Sequence, residues 1–344
     1  MTTSTTSSQT PPPRPAGDAS ASSAQQLSEF VGTMGPIVGL FLVFALFATL
    51  QPRTFLALDN LQIILLNTAV VGTAALGATV IIISGGIDLS VGSNIALCTV
   101  VIALCRSRNM PVIESALMGI LASTGVGLLI GLLVTQLKLS SFIVTLGLWG
   151  AVRGFAKWLA GGAEIATAPS WISQLLQMLQ PGQRWMIVPW GVWLLILLTL
   201  FVALVLRYTR FGRHVFAIGS NEQTARLCGI PVARTKILIF IFATVFAGIA
   251  GLLQFSYLNN LGDPTTANGY ELNVIASVVI GGASLSGGKG SVFGSLVGAL
   301  LMTVVANGCN KINLSNAVQD MVTGAIIVAA AAFDQFRQPQ ETVK

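Results

Sequence analysis

Residues 61–83 read LQIILLNTAVVGTAALGATVIII, and residues 84–93, directly after them, read SGGIDLSVGS. The first stretch carries no charge and, at 1.5 Å per residue, is long enough to cross about 30 Å of hydrocarbon as one helix. It lacks the period-two alternation of a lipid-facing strand, so it predicts a helical span rather than part of a barrel. Gly85 and Gly86 then permit a break, because neither has a side chain to hold the helix against its backbone entropy. Asp88 stands where a new helix can begin, and there its carboxylate would accept backbone N–H bonds at the positive end of the dipole. An aspartate at bilayer depth costs about 2.5–3.5 kcal/mol on insertion scales, so it must be capped, paired or wet. Two readings stay open for Asp88 and the adjoining Ser90: a structural cap, or a part of a permeation path.

Working outward, similar apolar runs recur near residues 33–51, 60–84, 89–105, 112–137, 141–160, 187–207, 236–256, 270–284, 291–307 and 317–333. Charged residues are 9% of the 344, against roughly 25% in an ordinary soluble domain, while hydrophobic residues are 53% and the mean hydropathy is +0.80. The expected fold is an all-α integral membrane protein of about ten spans with glycine-rich helix breaks. Residues 1–30, rich in Ser, Thr, Ala and Pro, read as a disordered cytoplasmic tail. Without a secretory signal's apolar core before it, the first run reads as an uncleaved span. Residues 31–335 form the expected membrane domain and 336–344 a second cytoplasmic tail.

The net charge of +6 is no nucleic-acid signature, because the cations concentrate between two spans. Arg207, Arg210, Arg213, Arg226, Arg234 and Lys236 place residues 208–236 in the cytoplasm by the positive-inside bias. Counting spans from there puts both termini in the cytoplasm, with Arg106, Arg108 and Arg184 outside against the bias. Cys98, Cys105, Cys228 and Cys309 show no paired spacing, so neither a disulfide framework nor a metal site is expected. The single histidine, His214, reads as a solvated side chain, and no catalytic constellation accompanies it. LSGGK at 285–289 superficially matches nucleotide-binding signatures. A phosphate loop would need Gly at 283 and Ser or Thr at 290, where the chain has Ala283 and Gly290. No cofactor is expected.

A second glycine cluster, GGASLSGGKGS at 281–291, repeats the pattern GG, two residues, LS, one residue, G of GGIDLSVG. Gly281, Gly282, Ser286, Gly287 and Gly288 therefore read as a duplicated helix break flanking the same path as Gly85, Gly86, Asp88 and Ser90. Gly290, Gly294 and Gly298, Gly127 and Gly131, and Gly150 and Gly154 recur every fourth residue and read as packing faces. Residues 161–183 carry Trp171, Ile172, Leu175, Leu176 and Leu179 at helical spacing, which predicts an interfacial helix or a docking face. In the basic segment, SNEQTARLCGIP at 220–231 reads as a short helix capped by Ser220 with Gln223 and stopped by Gly229 and Pro231. About two turns are not stable alone in water, so the membrane surface or a groove on a cytoplasmic protein must hold them.

These stretches, with FGRHVFAIGSNEQTARLCGI at 211–230 and GYELNVIASVVIGGASLSGGKGSVFGSLVGA at 269–299, resemble the ribose-type permease family of ABC importers over about residues 34–335. The resemblance implies a type II-like importer architecture in the bacterial inner membrane. It implies a second permease subunit, a cytoplasmic ABC ATPase that supplies the energy, and a periplasmic or lipid-anchored sugar-binding protein. The family's coupling helix falls on Asn221 to Cys228, with Gly212, Arg213, Gly219, Asn221, Ala225 and Gly229 matching its motif. Thr224 stands where the family often has alanine. Glu222 and Arg226 are then expected to contact the ATPase groove. The implied function is ATP-driven monosaccharide import. The alternatives are the same machine for a branched-chain amino acid or nucleoside, or an ion-coupled sugar carrier, for which Asp88, Glu271 and Asp320 are a thin set of ionisable groups.

Overall fold

The computed structural model describes the backbone of residues 18–179 and 181–337. Thirteen α-helices make up most of it: α1 (Asp18–Leu50), α2 (Pro52–Phe55), α3 (Leu58–Ile83), α4 (Val91–Ser107), α5 (Val112–Gln136), α6 (Ser141–Leu159), α7 (Trp190–Tyr208), α8 (Arg210–Ser220), α9 (Glu222–Leu227), α10 (Val232–Tyr257), α11 (Tyr270–Ile280), α12 (Val292–Lys311) and α13 (Asn316–Arg337). Among these, α3, α5, α7, α10 and α12 are long and apolar enough to cross a membrane. Every apolar run read from the sequence falls on a helix. The run at 270–284 does so only in part, because α11 has 11 residues and so about 16 Å of length, half a bilayer. The helix α1 starts at Asp18, inside the segment expected to be a disordered tail. Residues 1–17 of that tail, and 338–344 of the C-terminal one, lie outside the described residues.

α3 is the centre of the bundle and touches α7, α10, α11 and α12. Its most apolar window is 94% buried, as expected of a helix that is hydrophobic all round. Threonines on it are satisfied within the helix or across to α12. Thr79 donates to the Ala75 carbonyl and its hydroxyl pairs with that of Ser295 at 2.8 Å, and Thr68 and Thr303 pair through their hydroxyls at 2.6 Å. Glycines set the close approaches elsewhere. A side chain on Gly127 would strike Thr244 and the Phe240 carbonyl of α10, and one on Gly298 would strike the Ser277 carbonyl of α11. Gly150 and Gly154, read as another such face, lie exposed on α6, and a Cβ added at either would meet nothing within 4 Å.

The expected interfacial helix at 171–179 is absent. That segment holds one 3-10 turn, Trp171–Gln174, and folds inward over the bundle end. Ile172 and Leu176 are buried, the Leu176 N–H donates to Ser256 Oγ, and the Leu175 carbonyl accepts from Gly191 N. A two-residue antiparallel ribbon, β1 (Ile165–Ala166) with β2 (Leu261–Gly262), ties the segment to the α10–α11 connection. The apolar spacing is real, but tertiary partners take the backbone groups that a helix would have paired.

Candidate functional site

Three segments far apart in sequence meet at the end of the bundle that carries α8 and α9. At the end of α3, Gly85 is left-handed (φ 80°), Gly86 N–H donates to the Ile81 carbonyl at 3.0 Å and Gly85 N–H to Ile82 at 2.9 Å. This is the paired termination that leaves few carbonyls orphaned. At the end of α11 the same pattern forms around Gly282 (φ 90°), with Ala283 N–H to Val278 at 3.1 Å and Gly282 N–H to Val279 at 2.9 Å. The two breaks are therefore equivalent one residue out of the register read from the sequence. Gly85 corresponds to Gly282, and Gly281 has another use: a side chain there would overlap the Gly294 backbone of α12.

The loop after α11 then returns to α3. Its Gly288 N–H donates to the Ile83 carbonyl at 2.8 Å, satisfying an acceptor at the helix end. Residues 219 and 220 at the end of α8 lie over both. A Cβ on Gly219 would overlap the Ile83 carbonyl and come within 2.6 Å of Gly288 N, and one on Gly287 would come within 2.7 Å of the Gly219 carbonyl and 3.0 Å of Gly85 Cα. Backbone meets backbone on every side, so only glycine fits. Ser286 belongs to the same loop, its N–H facing Ser284 Oγ at 3.3 Å.

One residue beyond this junction the chain turns into α9. The cap is Asn221 (φ −160°, ψ 108°), whose side chain accepts from Thr224 N at 2.9 Å. The expected capping box on Ser220 and Gln223 does not form, because Ser220 is still the last residue of α8. Gly229 (φ 80°) closes the far end, with Ile230 N–H on the Ala225 carbonyl at 3.1 Å. Gly212 has its own constraint: a side chain would meet the Leu206 carbonyl where α8 folds back on α7, and its N–H is held by the Thr209 cap at 3.2 Å. Asn221→Ala removes a cap worth about 1 kcal/mol. In hydrogen exchange it should speed the amides of residues 222–228 selectively.

Ala225 is the buried residue of α9, packed with Ile218 and Val232. Glu222 is turned inward, bonded to Lys236 Nζ of α10 at 2.6 Å and to Arg226 at 3.2 Å. The hydrogen bond from Lys236 holds its carboxyl below the usual carboxylate range, against a smaller opposing effect of burial. That stabilisation is complete above the ordinary pKa and is lost as pH falls through the lowered folded value. Exchange protection of α9 is therefore expected to hold from neutral pH down to about 4.3, the ordinary glutamate value, and to fall below it; Glu222→Gln should weaken it at neutral pH and abolish that acid-side fall. The outer surface of α9 presents Arg226 and Leu227, and Arg213 is exposed on α8. Leu227 is 88% exposed, a large apolar side chain in full contact with water.

The segment after the first break is pinned separately. Asp88 is buried and accepts from both Ser90 N and Ser90 Oγ at 2.7 Å, while Ser90 Oγ accepts from Asn94 at 3.0 Å. Asp88 thus organises the turn into α4 from two residues before it. Ser141 and Thr145 of α6 hold the Ile87 backbone on the other side. Sequence reasoning did not single out a further polar group on α6, where Trp149 Nε1 donates to Glu271 Oε1 at 3.1 Å and Arg153 donates to the Thr266 and Pro264 carbonyls. The i, i+4 spacing of Trp149 and Arg153 was a legible signal, but its partner lies 122 residues away.

Residues 60–331 match the family model described as a branched-chain amino acid transport system, permease component. The chain belongs to this permease family. It is 36% identical to the probable ABC transporter permease protein YphD of Escherichia coli K12, over 92% of this chain and 93% of that protein. It is 33% identical to the ribose import permease RbsC of the same strain, over 88% and 93%. The L-arabinose permease AraH of Azospirillum brasilense is 35% identical over 88% of each chain. No solved structure matches it. Within this family of multi-pass membrane permeases the chain is a transport component rather than an enzyme.

Proposed function

We propose that the chain is the membrane subunit of an ATP-driven monosaccharide importer, and that α9 is the element its ATPase grips. Two permease subunits form the path through about ten spans each, with both termini in the cytoplasm, and a periplasmic or lipid-anchored binding protein delivers sugar at the opposite face. Ribose and arabinose permeases among the relatives support the sugar reading. The observation that carries the coupling role is an exposed Leu227 at the end of the short helix that follows directly on the backbone junction at residues 219–220.

ATP-driven closure of the ATPase pair would push on α9, whose own contacts are one buried alanine and the Glu222 pairs. The force passes through residues 219–220 into the end of α3 and the loop that follows α11 together, because backbone rather than flexible side chains fills the junction. Gly85 and Gly282 end these helices in left-handed turns, so the loops that follow can re-aim without unwinding either helix. Arg213 and Arg226 face the partner, and Glu222 positions α9 rather than reaching into the groove. Uptake of labelled D-ribose and L-arabinose by cells carrying the chain with its ATPase and binding protein tests the reading. It should stop on ATP depletion and survive an uncoupler; the reverse pattern would overturn it in favour of ion coupling.

A further inference from the structure

At the bundle end away from α8 and α9, the outer turns of α3, α10, α11 and α12 enclose a cavity of about 270 Å³. Besides Thr303, whose hydroxyl is paired with Thr68, its polar lining is Asn67, Tyr257, Tyr270, Asn273, Asn307 and Asn310. Four amides in one pocket of a chain this apolar is a costly arrangement, since polar groups at membrane depth are tolerated where they have partners or line a wet path. Their positions are held from behind. Asn307 and Asn60 exchange amide bonds at 3.0 and 3.1 Å, with Asn60 buried and also tied to the Phe55 carbonyl at 2.9 Å. Asn67 uses one N–H on the Ile63 carbonyl at 3.0 Å, and the Asn310 side-chain oxygen accepts from Gln319 at 2.6 Å. An amide has two N–H donors and an oxygen with two lone pairs, so each of these three still has both unused N–H and unused acceptor capacity.

We infer that this cavity is a transit site for a neutral, polyhydroxylated solute, and this rests on the importer reading above. The chemistry is specific in what it offers. Amides and phenols present donors and acceptors side by side, which matches vicinal hydroxyls, and two tyrosine rings supply apolar faces for C–H groups. Among the described residues no charged side chain lines the cavity; Glu271 and Asp320 belong to an adjoining one beneath α13, with Asn273 between the two. An amino acid, with an ammonium and a carboxylate to neutralise, finds no counter-charge here. The volume lies just under the roughly 300–1,000 Å³ of sites for drug-sized ligands, which suits a small solute.

The test uses the full chain with its ATPase and binding protein, and reads two quantities. Uptake of labelled D-ribose, L-arabinose and L-leucine measures passage; ATP hydrolysis in nanodiscs stimulated by the loaded binding protein measures coupling at the other end. Asn67→Ala and Asn273→Ala are expected to cut sugar uptake about tenfold, the cost of one or two hydrogen bonds, with membrane abundance and stimulated hydrolysis unchanged. Asn273→Gln, which keeps the amide, is expected to recover part of the uptake. Sugar uptake within twofold of wild type in both alanine variants, or hydrolysis falling in parallel with uptake, overturns the site but leaves the importer reading standing. Wild-type uptake of L-leucine without either sugar overturns both.

Discussion

Gly219→Val is expected to reduce sugar uptake roughly 100-fold while the ATPase still binds. The added side chain would enter the space held by the Ile83 carbonyl and the Gly288 amide. A side-chain neighbour could rotate away, but these are main-chain atoms of α3 and of the α11–α12 loop, which share a hydrogen bond. Overpacking costs about 1–3 kcal/mol even where side chains can move, and about 2.7 kcal/mol corresponds to the expected hundredfold. Gly219→Ala should show the same defect to a smaller degree. Gly147→Ala on α6, where nothing lies within 4 Å, should show none. The informative pattern is abundant protein in the membrane, retained ATPase association and lost uptake. Near-normal uptake by Gly219→Val would mean that the junction does not transmit the stroke.

The second large effect is expected at Leu227. Being 88% exposed, it contributes little to the chain's own stability, so Leu227→Asp should insert and accumulate like wild type. A buried apolar anchor at an interface is commonly worth about 2–4 kcal/mol, so affinity for the ATPase should fall roughly 30- to 1,000-fold. Arg226→Ala removes an exposed pair with Glu222 that is worth under about 1 kcal/mol within the chain, and any larger loss of affinity would report its contact with the partner. Equimolar copurification of the ATPase with Leu227→Asp, at unchanged affinity, would remove α9 from the interface. Gly229→Val separates the two effects. Its left-handed backbone (φ 80°) disfavours valine although the surrounding space is open, so α9 should be distorted and transport weakened with insertion intact.

The helix α8, at Arg210–Ser220, was not legible in the sequence, but the helical membrane fold, the positions of the long apolar helices and the short helix after residue 220 were. Each follows from local physics: uninterrupted apolar length, and the inability of Gly229 and Pro231 to continue a helix. Chain-local reading misplaced what depends on neighbours. It put the cap of α9 on Ser220, whose pattern with Gln223 is sound but whose backbone α8 already uses. It aligned the two breaks on the first glycine of each pair, whereas the left-handed turns fall on Gly85 and Gly282. It gave the segment at 171–179 a helix, although Ser256 and Gly191 take its backbone groups.

By itself, then, the sequence determined that this chain crosses a membrane as helices, where glycine interrupts them, and which stretch between spans gathers the cations around a short capped helix. Only the tertiary structure decided that Gly85, Gly219, Gly287 and Gly288 belong to one junction, that Glu222 faces Lys236, and that four asparagines from three helices share a cavity. The reason is that periodicity, charge and capping are properties of neighbours along the chain. Which backbone lies against which across more than a hundred residues is set by how the helices pack.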